Sequence, residues 1–191
     1  MFDVCCGSGG NCRVRMIDKT WIEEWAEKYD YGNNKGMVDL EKGILEAVKN
    51  VGPSPSHLTK AILMDIVKWK SPRSKGYASK NDEQFVRDVT QVSFSAKNEE
   101  LKIGALTLMQ GVNYRIASTI LYFRDPDRYP IMDWRAWKSL EVLGEVQGEI
   151  GDTFHSWQNY VRVCREIAKR NKVTLRTLDK ALWAYKGGAR Q

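Results

Sequence analysis

Apolar side chains recur at intervals of three and four residues along most of the chain after Asp18. The two clearest sets are Leu58, Ile62, Ile66 and Trp69, and Phe154, Trp157, Val161, Cys164 and Ala168. This spacing puts the apolar residues on one face of an α-helix and predicts that the face is buried. No segment shows the apolar-polar alternation of a half-buried strand, so the sequence predicts an all-α protein.

Nine helices are predicted, and most of their ends are marked by Asp, Asn, Ser, Gly or Pro. They cover residues 19–29, 39–50, 56–69, 81–95, 98–109, 114–123, 133–143, 153–170 and 175–185. The breaks between them are short, and none has the length of an interdomain linker. No internal repeat interrupts this pattern.

The first sixteen residues lack the helical pattern, and we expect residues 1–16 to form a flexible leader. Cys5, Cys6 and Cys12 lie there, in a glycine-rich context without a nearby histidine. Metal binding by these cysteines is the alternative, but zinc sites usually combine two pairs of ligands at short spacing. We therefore expect no metal site.

The chain carries 30 lysines and arginines against 24 acidic residues, a formal charge of +6, within 191 residues. The excess is concentrated in residues 162–190 and in a second run between Lys68 and Lys80. Basic surfaces of this kind favour an acidic partner such as nucleic acid, although solvated helix faces explain them equally well. The chain is long enough to bury a core of its own.

No stretch approaches the roughly 20 apolar residues that cross a bilayer, and no secretory signal begins the chain. The four cysteines do not form a recognisable disulfide framework. These features predict a cytoplasmic protein that does not bind membranes.

The most informative segment is a tight turn between two predicted helices, at Met109-Gln110-Gly111-Val112-Asn113. Gly111 can adopt a positive φ without cost, and Asn113 tolerates the left-handed region better than most residues. Backbone amides at the start of the next helix lack carbonyl partners and form an anion site that suits a DNA phosphate. The small Ala117 allows the two helices to approach closely. An ordinary corner between two helices is the alternative.

This segment resembles the helix-hairpin-helix of endonuclease III and related DNA glycosylases, which reads Leu-Pro-Gly-Val-Gly with an alanine four residues later. Gln110 and Asn113 stand where the family has proline and the second glycine. The resemblance implies a two-lobed helical fold, with one lobe over residues 55–130 and the other formed by residues 17–54 and 131–191. It also implies that residues 111–115 grip the DNA backbone through Gly111, Val112, Asn113, Tyr114 and Arg115.

Downstream, a loop rich in proline and aspartate runs into a helix at Met132-Asp133-Trp134-Arg135. In the family, a loop at this distance ends in an apolar residue and the catalytic aspartate, so the resemblance implies that Asp133 is catalytic. A fixed carboxylate suits cleavage of an N-glycosidic bond, because the departing base leaves positive charge on the sugar. An ordinary helix N-cap is the alternative for Asp133, and the two roles are compatible.

Two further expectations follow from the resemblance. Members of the family that also cut the strand use a lysine in the helix after the hairpin, and Arg115 occupies that position here. Because arginine stays protonated, it cannot act as the amine nucleophile, which predicts a monofunctional glycosylase. Only Cys164 lies beyond the catalytic helix, so no iron-sulfur cluster and no other cofactor is expected.

Glycosylases extrude the target base, so aromatic walls and a wedge residue are expected near Asp133. Trp134 and Trp137 flank the aspartate and are the candidates for the base pocket. Pro72 is the candidate wedge, and Lys70, Arg73 and Lys75 in the same loop are expected to contact phosphates. The helical spacing of the other tryptophans Trp21, Trp25, Trp157 and Trp183 predicts core positions.

The sequence thus predicts a monomeric base-excision repair enzyme that binds double-stranded DNA and associates with the nucleoid. Its expected reaction is hydrolysis of the N-glycosidic bond of a damaged or mismatched base, without strand cleavage. The alternative is a helix-hairpin-helix protein that binds DNA without catalysis. A helical protein unrelated to DNA is a third possibility, and it predicts no steep dependence of binding on salt.

Overall fold

A computed structural model of the protein describes residues 17–29, 35–52 and 56–185. Within these ranges the structure is helical and contains no strand, which confirms the all-α prediction. The helices are α1 (Lys19–Glu27), α2 (Lys35–Asn50), α3 (Lys60–Lys70), α4 (Lys75–Ala78), α5 (Glu83–Ser95), α6 (Glu99–Leu106), α7 (Tyr114–Arg124), α8 (Trp134–Val142), α9 (Phe154–Asn171) and α10 (Leu175–Tyr185). The predicted leader and its three cysteines lie outside the described residues.

Side-chain caps explain why most of the predicted helix starts agree with the structure. A residue with extended backbone precedes the helix and its side-chain oxygen accepts a hydrogen bond from an amide two or three residues later. The caps of this kind are Asp18, Thr59, Asp82, Asn98, Asn113, Asp133 and Thr153. Asp, Asn and Thr at these positions are therefore the sequence signals that begin seven of the helices.

The largest difference from the predicted helices lies between residues 71 and 79, which the sequence indicated as a break. Here a 3-10 turn (Pro72–Ser74) leads directly into the single-turn helix α4. Pro72 begins the turn, where its missing amide proton costs no hydrogen bond. The segment is consequently an ordered connection between α3 and α5.

Most contacts between helices involve α7 and α10. Helix α10 packs against α1, α8 and α9, while α7 packs against α2, α3, α6 and α9. The buried apolar residues form one continuous core that runs from Ile17 to Leu182. Helix α2 contacts α3 and α7, and the division into two lobes at residues 54 and 131 stays a prediction.

The described helices include none that is both long and apolar enough to cross a membrane.

Candidate active site

A cavity of about 200 Å³ lies between α3, α8 and α10. It is lined by Tyr29, Trp69, Lys70, Ile131, Asp133, Trp134, Arg135, Ala136, Arg176, Asp179 and Trp183. Pockets for drug-sized ligands occupy roughly 300–1,000 Å³, so this cavity suits a single planar ring system. Charged and aromatic side chains dominate its walls.

Asp133 uses its two carboxylate oxygens in different ways. Oδ1 accepts a hydrogen bond of 2.9 Å from the amide of Arg135 and so caps α8. Oδ2 accepts a hydrogen bond of 2.8 Å from Nζ of Lys70, and the two side chains are only 10% and 20% exposed. The N-cap interpretation of Asp133 is thus confirmed, and the same side chain lines the cavity.

The pKa of Asp133 lies below its usual value. Burial acts to raise this pKa, but the charge and hydrogen bond of Lys70 and the amide of Arg135 together lower it. The carboxylate is consequently ionised at neutral pH although it is largely removed from water. An anion held in this way has the property that stabilisation of a cationic sugar requires.

Three helices hold the two residues that precede Asp133. The amide of Ile131 donates to Oδ2 of Asp179 at 3.0 Å, and its carbonyl accepts from the Tyr160 hydroxyl at 3.0 Å. The amide of Met132 donates to Oγ of Ser118 at 2.9 Å. Every backbone bond here ends on a buried side chain from α7, α9 or α10, so the loop orients Asp133 rigidly.

Asp179 is a second carboxyl group in this cavity, and it is 4% exposed. Burial raises its pKa to about 7, against the opposing effects of Arg176, the Ile131 amide and Lys70. The nearby charge of Asp133 acts in the same direction as burial. One carboxyl group in the site is thus firmly ionised, while the other titrates near neutral pH.

Two tryptophans and an arginine lie together on the wall formed by α8 and α10. The guanidinium carbon of Arg135 lies 4.4 Å from the ring centre of Trp183 and 5.3 Å from that of Trp134. Trp134 is 46% exposed and lines the cavity, in agreement with its predicted position. A flat cation stacks on indole rings much as a nucleobase does.

Two tryptophan predictions differ from the structure. Trp137 is buried at 5% exposure, and its indole N–H donates to the carbonyl of Gly148 at 2.8 Å. It therefore belongs to the core and is not among the residues that line this cavity. Trp183, predicted in the core, lines the cavity instead. Trp21 and Trp157 are buried as predicted, and Trp25 packs on the core half-buried.

Arg176 and Glu41 form a second ion pair at this cavity. The Arg176 Nε and Nη2 atoms donate to the two Glu41 oxygens at 2.9 and 2.8 Å, and each side chain is 17% exposed. The Tyr122 hydroxyl donates to the same carboxylate at 3.0 Å. Bidentate pairing of this kind fixes the plane of the guanidinium.

The hairpin turn lies against the segment that connects α3 to α5. Gly111 has φ +77°, and a Cβ atom at this position would lie 2.8 Å from the amide nitrogen of Ala78 and 3.0 Å from the carbonyl oxygen of Ser74. Both the backbone conformation and the contact therefore require glycine. The carbonyl of Gln110 also accepts from the Asn81 side chain at 3.0 Å.

Asn113 has a different role from the predicted one. Its φ is −96°, outside the left-handed region, and its side chain accepts a hydrogen bond of 3.1 Å from the amide of Ile116 as the N-cap of α7. Only Gly111 supplies a positive φ in this turn. Asparagine can cap the helix with its side chain, which explains its presence where the glycosylase hairpin that this segment resembles has glycine.

The amides at the start of α7 are not all available to a phosphate. The amide of Tyr114 donates to a carboxylate oxygen of Asp152 at 3.0 Å. Val112 is buried and its amide bonds within the turn to Met109. Nε of Arg115 is buried and has no hydrogen-bond partner among the described residues. An acidic side chain thus occupies part of the predicted anion site.

The predicted DNA-contacting loop divides between the cavity and the surface. Pro72, Arg73 and Lys75 are exposed in the 3-10 turn and at the start of α4. Lys70 instead points inward and pairs with Asp133. The wedge and phosphate-binding roles of this loop stay predictions.

Sequence reasoning missed the carboxyl and cationic groups that α2 and α10 bring to the cavity. The sequence pattern places Arg176 only within the basic range 162–190 and assigns no role to Asp179 or Glu41. Asp179 carried a signal, since it falls beside Leu175, Leu178 and Leu182 on the buried face of α10. A charged residue on an apolar helix face usually has a specific partner.

Comparisons with known proteins return one distant structural likeness. No model of a known protein family matches the chain, and no curated protein matches it significantly. Among solved structures, the chain is similar to the 8-oxoguanine glycosylase/lyase of Methanocaldococcus jannaschii in complex with a 15mer DNA containing 8-oxoguanine. The identity is 17%, the likeness covers 90% of this chain and 91% of that chain, and the TM-score is 0.49.

Proposed function

We propose that the protein is a monofunctional DNA glycosylase, which hydrolyses the N-glycosidic bond of a damaged or mismatched base. The observation that carries the proposal is the ionised Asp133 carboxylate, held by Lys70 and by the start of α8 at a cavity with aromatic walls. The cavity suits one flat ring system, and an ionised carboxylate on its wall can stabilise positive charge on a sugar.

The proposed reaction breaks the bond between the base nitrogen and the anomeric carbon of the sugar. The electron pair leaves with the base, which takes up a proton, and the sugar ring becomes cationic. Asp133 stabilises this cation, and a water molecule adds to the anomeric carbon and loses its proton. Since each carboxylate oxygen has two lone pairs, the bonds to Lys70 and Arg135 leave acceptor capacity on Asp133.

Binding to double-stranded DNA is proposed to use the hairpin turn together with the exposed loop beside it. The segment from Lys70 to Ala78 runs from the carboxylate in the cavity to the backbone contact with Gly111. A duplex held by the turn, Arg73 and Lys75 would therefore lie close to the cavity. We propose that the protein binds as a monomer. Its contacts to several phosphates predict that the affinity for DNA falls steeply as the salt concentration rises.

Hydrolysis without strand cleavage is proposed because, among the described residues that line the cavity, the one lysine is already bound to the carboxylate. Arg115 stays protonated and cannot act as the nucleophile, and Nζ of Lys70 is engaged in its hydrogen bond to Asp133. Borohydride added during a reaction should then trap no covalent protein-DNA adduct. A trapped adduct that disappears in the Lys70→Met variant would contradict the monofunctional assignment.

The test incubates the protein with duplexes that each contain a single uracil, hypoxanthine, 8-oxoguanine, 1,N6-ethenoadenine or mismatched adenine, followed by hot alkali. We expect strand breaks at one or more of these bases after alkali, and none before it. Asp133→Asn should slow excision about 10³-fold, as loss of a principal charge-stabilising group does, while the affinity for DNA changes little. Asp127→Asn, an exposed aspartate of the same loop, is the matched control and should be fully active.

The same experiment separates the alternatives. Salt-sensitive DNA binding without excision of any base would favour a helix-hairpin-helix protein that binds without catalysis. Equal excision by the Asp133→Asn variant would remove this carboxylate from the mechanism. Binding without steep salt dependence would contradict a role on DNA altogether.

A further inference from the structure

The Arg176 side chain is unusually constrained for a residue at a cavity. Two of its nitrogens are bound to Glu41 at 2.9 and 2.8 Å, and Nη2 also lies 3.4 Å from the Tyr29 hydroxyl. Its guanidinium carbon lies 5.2, 5.6 and 5.7 Å from the ring centres of Tyr29, Trp69 and Tyr122. The group is therefore held in one position by an anion and three rings.

One nitrogen of the Arg176 guanidinium, Nη1, remains available to donate a hydrogen bond. Nη1 has no hydrogen-bond partner within the described part of the chain, and Arg176 lines the cavity together with Asp133. A guanidinium has only donors and stays protonated at any accessible pH. It can therefore satisfy an acceptor atom of a ligand but never a donor.

Two other cationic side chains of the described residues line the cavity. Lys70 donates to Asp133, and Arg135 stacks near Trp134 and Trp183. Asp179 accepts from the amide of Ile131 and belongs to the support of the loop. Among the described cationic side chains that line the cavity, Arg176 is the one that a carboxylate holds in a fixed plane and that keeps an N–H for a ring substituent, whereas Arg135 is positioned only by the two rings.

We infer that Arg176 is a specificity-determining residue, which donates from Nη1 to an exocyclic carbonyl oxygen of the extruded base. The preferred substrates are accordingly bases with such an oxygen, and bases that carry only amino or hydrocarbon substituents are disfavoured. This inference rests on the proposed glycosylase function. Glu41 is the positioning residue that holds Arg176 in its place.

The physical reason for discrimination is the cost of leaving the Nη1 N–H without an acceptor once a bound base has displaced water from it. A carbonyl oxygen accepts from the fixed N–H, whereas an amino group at the same point presents its own hydrogens to a donor. A hydrogen bond to a charged group corresponds to a preference of about 10- to 100-fold for a base that accepts it over a base that does not. A site built to bind a polar group also rejects analogues that lack this group. The discrimination between bases with and without a carbonyl oxygen should therefore appear mainly as a difference in excision rate.

The test measures single-turnover excision of hypoxanthine, which has a carbonyl, and 1,N6-ethenoadenine, which has none, in the same duplex sequence. Uracil and mismatched adenine provide a second pair. The wild-type protein should excise the carbonyl-containing bases at least about 10-fold faster. The Glu41→Gln/Arg176→Met double variant, which leaves no unpaired carboxylate, should lose this preference while its affinity for undamaged DNA is retained.

Two further variants separate specificity from folding. Glu41→Gln alone keeps the guanidinium and should reduce the preference only partly, and Arg162→Met, in an exposed pair on α9, should leave it unchanged. Circular dichroism verifies the fold of each variant. A preference that persists in the double variant, or an equal loss of excision for all bases, would overturn the inference and leave the glycosylase function intact. Failure of the wild-type protein to excise any base would instead refute the function, and the inference with it.

Discussion

The cavity at Asp133 and the turn at Gly111 differ in how their polar groups are satisfied. In the cavity, charged side chains meet in pairs, with Lys70 on Asp133 and Arg176 on Glu41, and most of their surface is removed from water. At the turn, the polar groups are backbone amides near the surface, and an exposed loop residue, Asp152, binds one of them. The polar groups of the first region are paired before any ligand arrives, whereas the second holds an anion that a DNA phosphate would have to replace under the proposed function.

This difference matches the separate demands of chemistry and binding. Stabilising a charge that appears only in a transition state requires groups that are already oriented, because reorientation costs free energy. Binding a phosphate chain requires accessible donors that exchange partners easily. The segment from Lys70 to Ala78 contacts both regions, so a disturbance of the turn should reach the cavity.

Gly111→Ala should have the largest effect, since it breaks the turn. The added Cβ meets the backbone of residues 74 and 78, and alanine is strained at φ +77°. We expect a loss of about 2–4 kcal/mol in the free energy of unfolding, measured by urea denaturation, together with weaker DNA binding. Gly104→Ala is the control, because this site in α6 has open space and alanine should stabilise the helix by about 0.5–1 kcal/mol. Equal stability of the two variants would contradict the close contact at the turn.

Lys70→Met tests the cavity and should have the next largest effect. Lys70 lowers the pKa of Asp133, so the ion pair contributes stability above the unfolded pKa of the carboxyl group, and this contribution is lost as the pH falls through the folded pKa. Without Lys70, burial should raise the pKa of Asp133. In a plot of excision rate against pH, the fall in rate at low pH should then occur about one pH unit higher or more. At a given pH on this falling part of the curve, the variant should be roughly tenfold slower than the wild-type protein.

The exposed Lys68 provides the control for this variant. Lys68→Met removes the same charge from the same helix and should leave the pH at which the rate falls unchanged. An unchanged pH of this fall in Lys70→Met would show that another group holds the carboxylate ionised.

Asp152→Asn should have the smallest effect, and in the opposite direction. Removing the negative charge at the amide of Tyr114 should strengthen binding of an undamaged duplex by about two- to fivefold at low salt. Glu149→Gln removes a charge from the same loop without that hydrogen bond and should change the affinity less. Equal effects of both variants would indicate general electrostatics and not competition for one site.

The helices could largely be predicted from the sequence because their signals are local. Asp18, Asn98 and Asn113 cap helices through bonds that span three residues, and the apolar faces repeat within each helix. The cap at Asp133 is a local signal of the same kind, whereas its catalytic role is implied only by the resemblance of the hairpin and the following loop to the glycosylase family. The positive φ of Gly111 follows from glycine in a tight turn.

The partners in the cavity could not be predicted, because they are distant along the chain. Lys70 and Asp133 are 63 residues apart, and Glu41 and Arg176 are 135 apart. Periodicity shows which face of a helix is buried, but not which helix covers it. Trp183 illustrates this point, since its helical spacing is that of a core residue and its ring faces a cavity.

The central claim is that the carboxylate of Asp133 is arranged for a cationic sugar, and a charged sugar analogue tests it without knowledge of the base. The measurement compares the affinity for a duplex that contains a protonated pyrrolidine in place of one deoxyribose with that for a duplex containing the neutral tetrahydrofuran analogue. The wild-type protein should bind the pyrrolidine duplex at least about 100-fold more tightly, and Asp133→Asn should lose this difference. Equal affinity of the wild-type protein for the two duplexes would contradict the account.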